Sequence, residues 1–134
     1  MSSDAPIPSV ADNEWLARFI LFSGWIRGSK TVKPDAFIPP PNLDLSVTRH
    51  KELTKEQLWQ VGREIADSRS VPVTLHGRAD ITAAEVRRQK LEVEPRPVPE
   101  NLNHASVIGW PTDKPAQKIL AQELAAVARY VARP

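Results

Sequence analysis

The sequence predicts an α+β domain in which a small mixed β-sheet of about four short strands is packed by three to four helices. Two capping boxes start helices at Thr54 and Thr82, because a glutamine or glutamate stands three positions after each threonine. Residues 45–49 alternate apolar and polar side chains, which is typical of a strand. After Pro115, apolar residues recur at helical spacing, and they predict a long amphipathic C-terminal helix.

The N-terminal end predicts a tail followed by one domain. Residues 1–11 are small, polar and proline-containing, so we expect a flexible tail, with a single domain over residues 12–134. A helix is predicted from Asp12 or Asn13 to about Phe22. Its expected buried stripe is Trp15, Leu16, Phe19 and Ile20.

The middle of the chain alternates short elements with proline-rich connections. Prolines in residues 33–42 and 95–99 predict extended segments. The other expected elements are a helix to about Arg69, a strand at 71–76, a turn at 77–80, a helix to about Lys90, strands at 91–94 and 104–109, and the last helix from about 113.

Composition excludes several classes of protein. The chain has no cysteine, so disulfide scaffolds, thiolate nucleophiles and thiolate-bound metals are excluded, and a reducing compartment is favoured. The most apolar stretch, residues 15–26, is too short to span a bilayer and contains Arg18. The start has no signal-peptide pattern. We therefore expect a soluble cytoplasmic protein that does not act in a membrane.

Standard catalytic and nucleotide-binding motifs are absent from the sequence. It contains no phosphate loop, no dinucleotide fingerprint, no zinc-protease motif and no nucleophile elbow. With only five glycines, a loop that cradles a nucleotide is not expected. No cofactor is predicted.

The three histidines form the first candidate site. His50, His76 and His104 each lie at an end of a predicted strand. If the strands at 45–49 and 71–76 are parallel, as in a β-α-β unit, all three imidazoles meet at one edge of the sheet. They would then bind zinc or copper, or one would act as a general base near Asp80 or Asp113. The plain alternative is that histidines gather at polar strand ends without a function.

A second candidate site combines His104 with the segment Gly77–Asp80. His104, Arg78 and Asp80 are the predicted catalytic residues, with Arg78 holding an anion and Asp80 beside it. The alternative is a local Arg78–Asp80 pair with Asp80 as a helix cap. Arg49 and Asn103 are candidates for binding an anionic ligand.

A third candidate is a basic segment near the N-terminus. Between Glu14 and Asp35 there are four basic residues and no acid, and Trp25 stands among them. This pattern suits nucleic acid, although a solvated face gives the same pattern. The four residues are Arg18, Arg27, Lys30 and Lys33.

Four blocks of the sequence resemble small bacterial proteins of uncharacterised function. They are residues 35–39, 45–49, 77–86 and 103–111, and the resemblance covers most of residues 33–118. It implies a bacterial intracellular protein in which His104 and its neighbours matter. It implies no activity.

Three functions follow, and the sequence does not decide whether the protein is an enzyme. The first is an interaction or accessory module that acts with a protein partner, which suits the small size and missing motifs. The second is a small hydrolase, nuclease or transferase that uses His104 with Arg78 or Arg49. The third is a nucleic-acid-binding protein that uses the basic segment.

Overall fold

The computed structural model describes residues 7–134, which form one six-stranded antiparallel sheet with three α-helices on its two faces. The strands are β1 Trp15–Ile20, β2 Leu45–Arg49, β3 Gly77–Thr82, β4 Glu92–Pro95, β5 His104–Ile108 and β6 Arg129–Ala132, in the sheet order β4-β5-β2-β1-β3-β6. The helices are α1 Lys55–Ser68, α2 Ala83–Arg88 and α3 Lys114–Val127. Short 3₁₀ turns occupy Ser23–Trp25 and Pro34–Phe37.

The predicted α+β class and the long C-terminal helix are confirmed. Both capping boxes form: the Thr54 hydroxyl accepts from the Gln57 amide, and the Thr82 hydroxyl accepts from the Glu85 amide. The expectation of a mixed sheet of about four strands is wrong, because every pairing is antiparallel and two further strands, β1 and β6, are present among residues 7–134.

Strand β1 replaces the helix predicted for residues 12–22. Leu16 and Ile20 pack on one side of the sheet, and Ala17 and Phe19 pack on the other. A strand with both faces covered is apolar at neighbouring positions, so its sequence imitates helical spacing. The central position of β1 therefore explains the error.

Strand β3 begins where a turn was expected. The strand predicted at 71–76 does not form; instead it runs over Gly77–Thr82. Gly77 is required by a close approach rather than by a turn, because a Cβ there would lie 2.5 Å from the carbonyl oxygen of Val131 in β6. A glycine between strands commonly marks such an approach.

The C-terminal helix is shorter than its apolar pattern suggested. α3 ends at Val127, and Val131 belongs to β6. Ile119, expected on the buried stripe, is 59% exposed. The buried residues of α3 are Gln117, Ala121, Leu124 and Ala125.

The sheet separates two apolar clusters. On one face α1 covers a cluster that includes Phe19, Trp59 and Leu75. On the other face lies a larger cluster that includes Phe37 and Leu124. This three-layer arrangement buries both sides of the sheet. Among residues 7–134, no helix has the length and apolar character needed to cross a membrane.

The segment before β1 contacts the sheet. Residues 1–6 of the predicted tail lie outside the described residues. Val10 is buried, and the carbonyl oxygens of Pro8 and Ser9 accept hydrogen bonds from the Arg49 guanidinium at 3.0 and 3.3 Å. Residues 8–10 are thus tied to the end of β2.

Replacing Gly62 with alanine should loosen α1 from the sheet. The new Cβ would lie 2.6 Å from Phe19 Cε1 and 3.1 Å from Leu75 Cδ2, in the cluster beneath the helix. We expect Gly62→Ala to lower the free energy of unfolding by about 1–3 kcal/mol, although alanine favours helices. Urea unfolding measures the change. Gly24→Ala is the control, since no atom lies within 4 Å of its Cβ position; equal stability of the two variants would contradict the expectation.

Candidate functional site

The structure places His50 and His76 at opposite ends of the sheet. The His50 amide donates to the Trp15 carbonyl at the start of β1, and the His76 amide donates to the Ile20 carbonyl at its end. Five residues of extended chain separate these points by about 17 Å. The strand pairing on which the three-histidine site was based is therefore wrong: His76 precedes its strand, whereas His50 follows its own.

The predicted metal site of His50, His76 and His104 is therefore not formed, because His50 and His76 lie too far apart to bind one metal ion. His50 and His104 are each bound to a different partner, His50 to the Asp80 carboxylate and His104 to the Arg96 carbonyl. Within the part of the chain that the structure describes, no group of three or more histidine, cysteine, aspartate or glutamate residues is placed to hold a metal ion.

His50 instead joins a polar cluster on the α1 face of the sheet. Its Nε2 lies 3.2 Å from Asp80 Oδ1, and the Arg78 Nε donates to both carboxylate oxygens of Asp80 at 3.0 and 3.1 Å. The Arg78 guanidinium also stacks 4.7 Å from the centroid of the Trp59 ring in α1. Arg78 and Asp80 are only 8% and 7% exposed, so this pair is an internal support for α1.

The structure separates His104 from the other two predicted catalytic residues. His104 lies on β5 and both Arg78 and Asp80 lie on β3, with β2 and β1 between them. Three strand spacings correspond to about 14 Å. The expected set of His104, Arg78 and Asp80 is thus not assembled, because the sheet order keeps β5 and β3 apart.

His104 has a different partner, which the sequence did not suggest. Its Nε2 lies 3.1 Å from Ser46 Oγ on β2, and its Nδ1 lies 2.8 Å from the Arg96 carbonyl oxygen. Since a carbonyl only accepts, Nδ1 carries the hydrogen, and in the neutral ring Nε2 accepts from the serine hydroxyl. The Arg96 amide also donates to the His104 carbonyl, so the histidine is held by its backbone and by its ring.

Arg49 and Asn103, the predicted anion-binding residues, are occupied by the protein itself. Arg49 is 3% exposed and binds both oxygens of the Glu14 carboxylate, at 2.8 and 2.7 Å. The Asn103 amide donates to the carbonyls of Arg49 and Lys51. Both residues therefore fasten the chain around the end of β2.

The basic segment is also partly used internally. Arg18 donates to the Ala36 and Ser46 carbonyls, and Arg27 donates to the Val32 carbonyl. Trp25 has the Arg18 guanidinium 5.2 Å from its ring centroid and the edge of Phe22 against it. A platform for stacked bases needs a free ring face. The other two residues of the segment, Lys30 and Lys33, make a weak footprint for nucleic acid by themselves, because affinity grows with the number of phosphates that are neutralised.

Two adjoining concavities surround His104. The larger concavity, which we call the α1 groove, has a volume of about 680 Å³. It lies between the C-terminal part of α1, at residues 64–68, and the turn at residues 98–101, and His104 is part of its lining. Hydrogen bonds between Val98 and Asn101 close the turn, and the Asn101 side chain donates to the Thr48 hydroxyl. The groove walls are thus preformed.

The smaller concavity, the inner pocket, has a volume of about 50 Å³ and shares Ile65 and His104 with the α1 groove. Arg18 and Ser46 also line it. Burial lowers the pKa of Arg18 to about 10, and the nearby Arg69 charge adds to the effect. Because this pKa is still well above 7, the guanidinium stays charged at neutral pH. The apolar wall of the inner pocket is completed by Ala17, Phe19, Leu21 and Val47.

Sequence reasoning missed Ser46 and the acidic residues of the α1 groove, Glu64 and Glu100. Ser46 was visible only as an outward position in the alternating strand 45–49, and such a position is ordinarily solvent-facing. Finding it required the pairing of β2 with β5, which joins residues more than fifty positions apart.

Comparisons of the chain with protein-family models, with curated proteins and with solved structures found no match.

The Glu14–Arg49 pair predicts a loss of stability in acid. Its hydrogen bond with Arg49 lowers the pKa of Glu14 below the ordinary value of 4.5. The pair therefore stabilises the fold fully above that value, and this stabilisation is lost as the pH falls through the lower folded pKa. We expect the difference in unfolding free energy between wild type and Glu14→Gln to shrink between about pH 6 and about pH 3. A difference that is constant with pH would contradict this.

Removing the Asp80 charge should be far more costly than removing an exposed one. Asp80→Asn leaves the Arg78 guanidinium buried and uncompensated, so we expect a loss of about 3 kcal/mol or more in the free energy of unfolding. Glu94→Gln is the matched control, because it breaks an exposed pair with Arg96 and should cost less than about 1 kcal/mol. Equal losses in urea unfolding would show that the Arg78–Asp80 pair does not support the fold.

Proposed function

We propose that the protein is a binding module whose α1 groove takes a basic and partly apolar peptide segment of a partner protein. The observation that carries this proposal is the lining of the groove. Ile65, Val98 and Pro99 supply apolar surface, while Glu64 and Glu100 supply two carboxylates. No arginine or lysine lines it among the described residues.

The walls of the groove suit recognition because they are held before a partner arrives. One wall is a capped helix that packs on the sheet through Leu58 and Trp59, and the other is the turn closed by Val98 and Asn101. A preformed site avoids the entropy cost of ordering a loop on binding. Such a groove commonly binds an extended or helical segment of another protein.

Exposed apolar side chains extend the proposed surface. Leu102 is 76% exposed and Val98 is 36% exposed, both on the segment that carries the turn. Apolar anchors surrounded by polar residues are typical of the centre of a protein interface.

We place this interaction in the cytoplasm, which agrees with the cysteine-free composition.

A pair of charge-matched peptides tests the proposal by fluorescence anisotropy. We expect a labelled lysine–leucine hexapeptide to bind and a glutamate–leucine hexapeptide of the same length not to bind. The double variant Glu64→Lys and Glu100→Lys should weaken binding roughly tenfold or more, because each reversed rim charge costs roughly 1 kcal/mol. Glu123→Lys, an exposed position on α3, is the control and should bind like wild type.

Two results would overturn the proposal. One is equal binding of the acidic and basic peptides, which would show attraction to apolar surface alone. The other is equal weakening by Glu123→Lys and by the double variant, which would show that overall charge, rather than the α1 groove, governs binding. Added salt should weaken the specific complex, since the rim charges are exposed.

A further inference from the structure

The pairing of Ser46 with His104 resembles the nucleophile and base of acyl-transferring enzymes. The serine hydroxyl lies 3.1 Å from Nε2, which is within reach for proton transfer. The opposite nitrogen is fixed by the Arg96 carbonyl at 2.8 Å, so the ring presents its lone pair to the serine. Nucleophile, base and orienting group thus follow the arrangement known from hydrolytic triads, with a backbone carbonyl as the third member.

We propose that Ser46 and His104 hydrolyse short-chain acyl esters whose acyl group occupies the inner pocket. The proposal deepens the binding function proposed above, because the leaving alcohol would lie in the adjoining α1 groove. Ser46 is exposed on β2 and lines the inner pocket together with His104, so a substrate carbonyl can reach the hydroxyl.

The size and lining of the inner pocket define the substrate class. A volume of about 50 Å³ holds roughly three or four water-sized groups, and its wall is mainly apolar. An acetyl or butyryl chain therefore fits, whereas an octanoyl chain does not. The acidic lining of the α1 groove favours a leaving alcohol that carries a positive charge.

Arg18 lines the inner pocket and places positive charge beside the backbone of Ser46. Its Nη1 donates to the backbone carbonyl of Ser46 at 3.2 Å, and its Nε donates to the Ala36 carbonyl at 2.8 Å. The guanidinium is thus anchored at the Ser46 backbone, and its positive potential extends to an oxyanion that forms at the substrate carbonyl. Positive charge held in place before the reaction stabilises such an oxyanion.

The reaction balances with water as the only co-reactant. His104 Nε2 takes the Ser46 hydroxyl proton as Oγ bonds to the substrate carbonyl carbon. The carbon–oxygen bond to the alcohol then breaks, and the alcohol leaves with that proton. Water attacks the acyl-serine with His104 again as the base, which releases the carboxylic acid and restores the Ser46 hydroxyl.

A fluorophosphonate probe and p-nitrophenyl esters test the activity. We expect the probe to label Ser46 of the full chain, as located by mass spectrometry of its peptides, and Ser46→Ala to lose the label. Hydrolysis of the acetyl and butyryl esters should exceed that of the octanoyl ester. His104→Gln should lower the labelling rate roughly 100-fold, and Ser70→Ala, at an exposed position outside both concavities, should react like wild type.

A cysteine variant tests the activation of position 46 independently of any ester. Because the chain has no cysteine, Ser46→Cys introduces a single thiol, which His104 should convert to thiolate at lower pH. We expect iodoacetamide to alkylate Ser46→Cys at least tenfold faster than Ser70→Cys near pH 6, and to lose this advantage when His104→Gln is added.

The outcomes separate this proposal from the binding function. Equal alkylation of the two thiols, or a probe that labels wild type no faster than Ser46→Ala, would overturn the catalytic proposal and leave peptide binding in the α1 groove untouched. Labelled Ser46 in a protein that binds neither hexapeptide would support catalysis while removing the binding function.

Discussion

The site depends on the divergence of two central strands. Within the described chain, β1 and β2 share only the pairs Leu16–Arg49 and Ala17–Thr48. After these two pairs, the Arg18 guanidinium replaces the backbone hydrogen bonds between the strands, because it donates to the Ser46 carbonyl. A strand carbonyl without a ladder partner needs another donor, and here the donor is a charged side chain instead of a neighbouring amide. This substitution separates the strands and leaves the inner pocket.

The α1 face of the sheet combines this opening with a closed polar layer. Toward β3, the Arg78 charge is neutralised by Asp80 and covered by Trp59. Toward β5, His104 and Ser46 bind each other at the edge of the α1 groove. Both pairs lie on one sheet face, but only the second is open to a ligand. The Arg78–Asp80 pair is neutralised and covered, so it supports α1. The Ser46–His104 pair is open to solvent, so it is the pair that can react.

Local chemistry was predictable from the sequence, and strand pairing was not. The capping boxes at Thr54 and Thr82 form as expected because their hydrogen bonds lie within four consecutive residues. Strand β1 was predicted as a helix because burial on both faces removes the alternation that marks a strand. The partner of His104 could not be predicted, since Ser46 reaches it only through the long-range pairing of β2 with β5. The alternative for Arg78 and Asp80, a local pair, forms in a strand instead of a turn, and Thr82 rather than Asp80 caps α2.

The strand order also has a consequence for how quickly the chain folds. β1 pairs with β2 and β3, and β2 pairs with β5, so the pairs Ile20–Gly77 and Thr48–His104 join residues more than fifty positions apart. Closing such long loops costs entropy before the sheet returns any stabilisation. High contact order of this kind slows folding to roughly milliseconds or seconds. During that interval β1, with apolar side chains on both faces, is exposed to solvent, and such an unpaired apolar strand makes a newly made chain prone to aggregate.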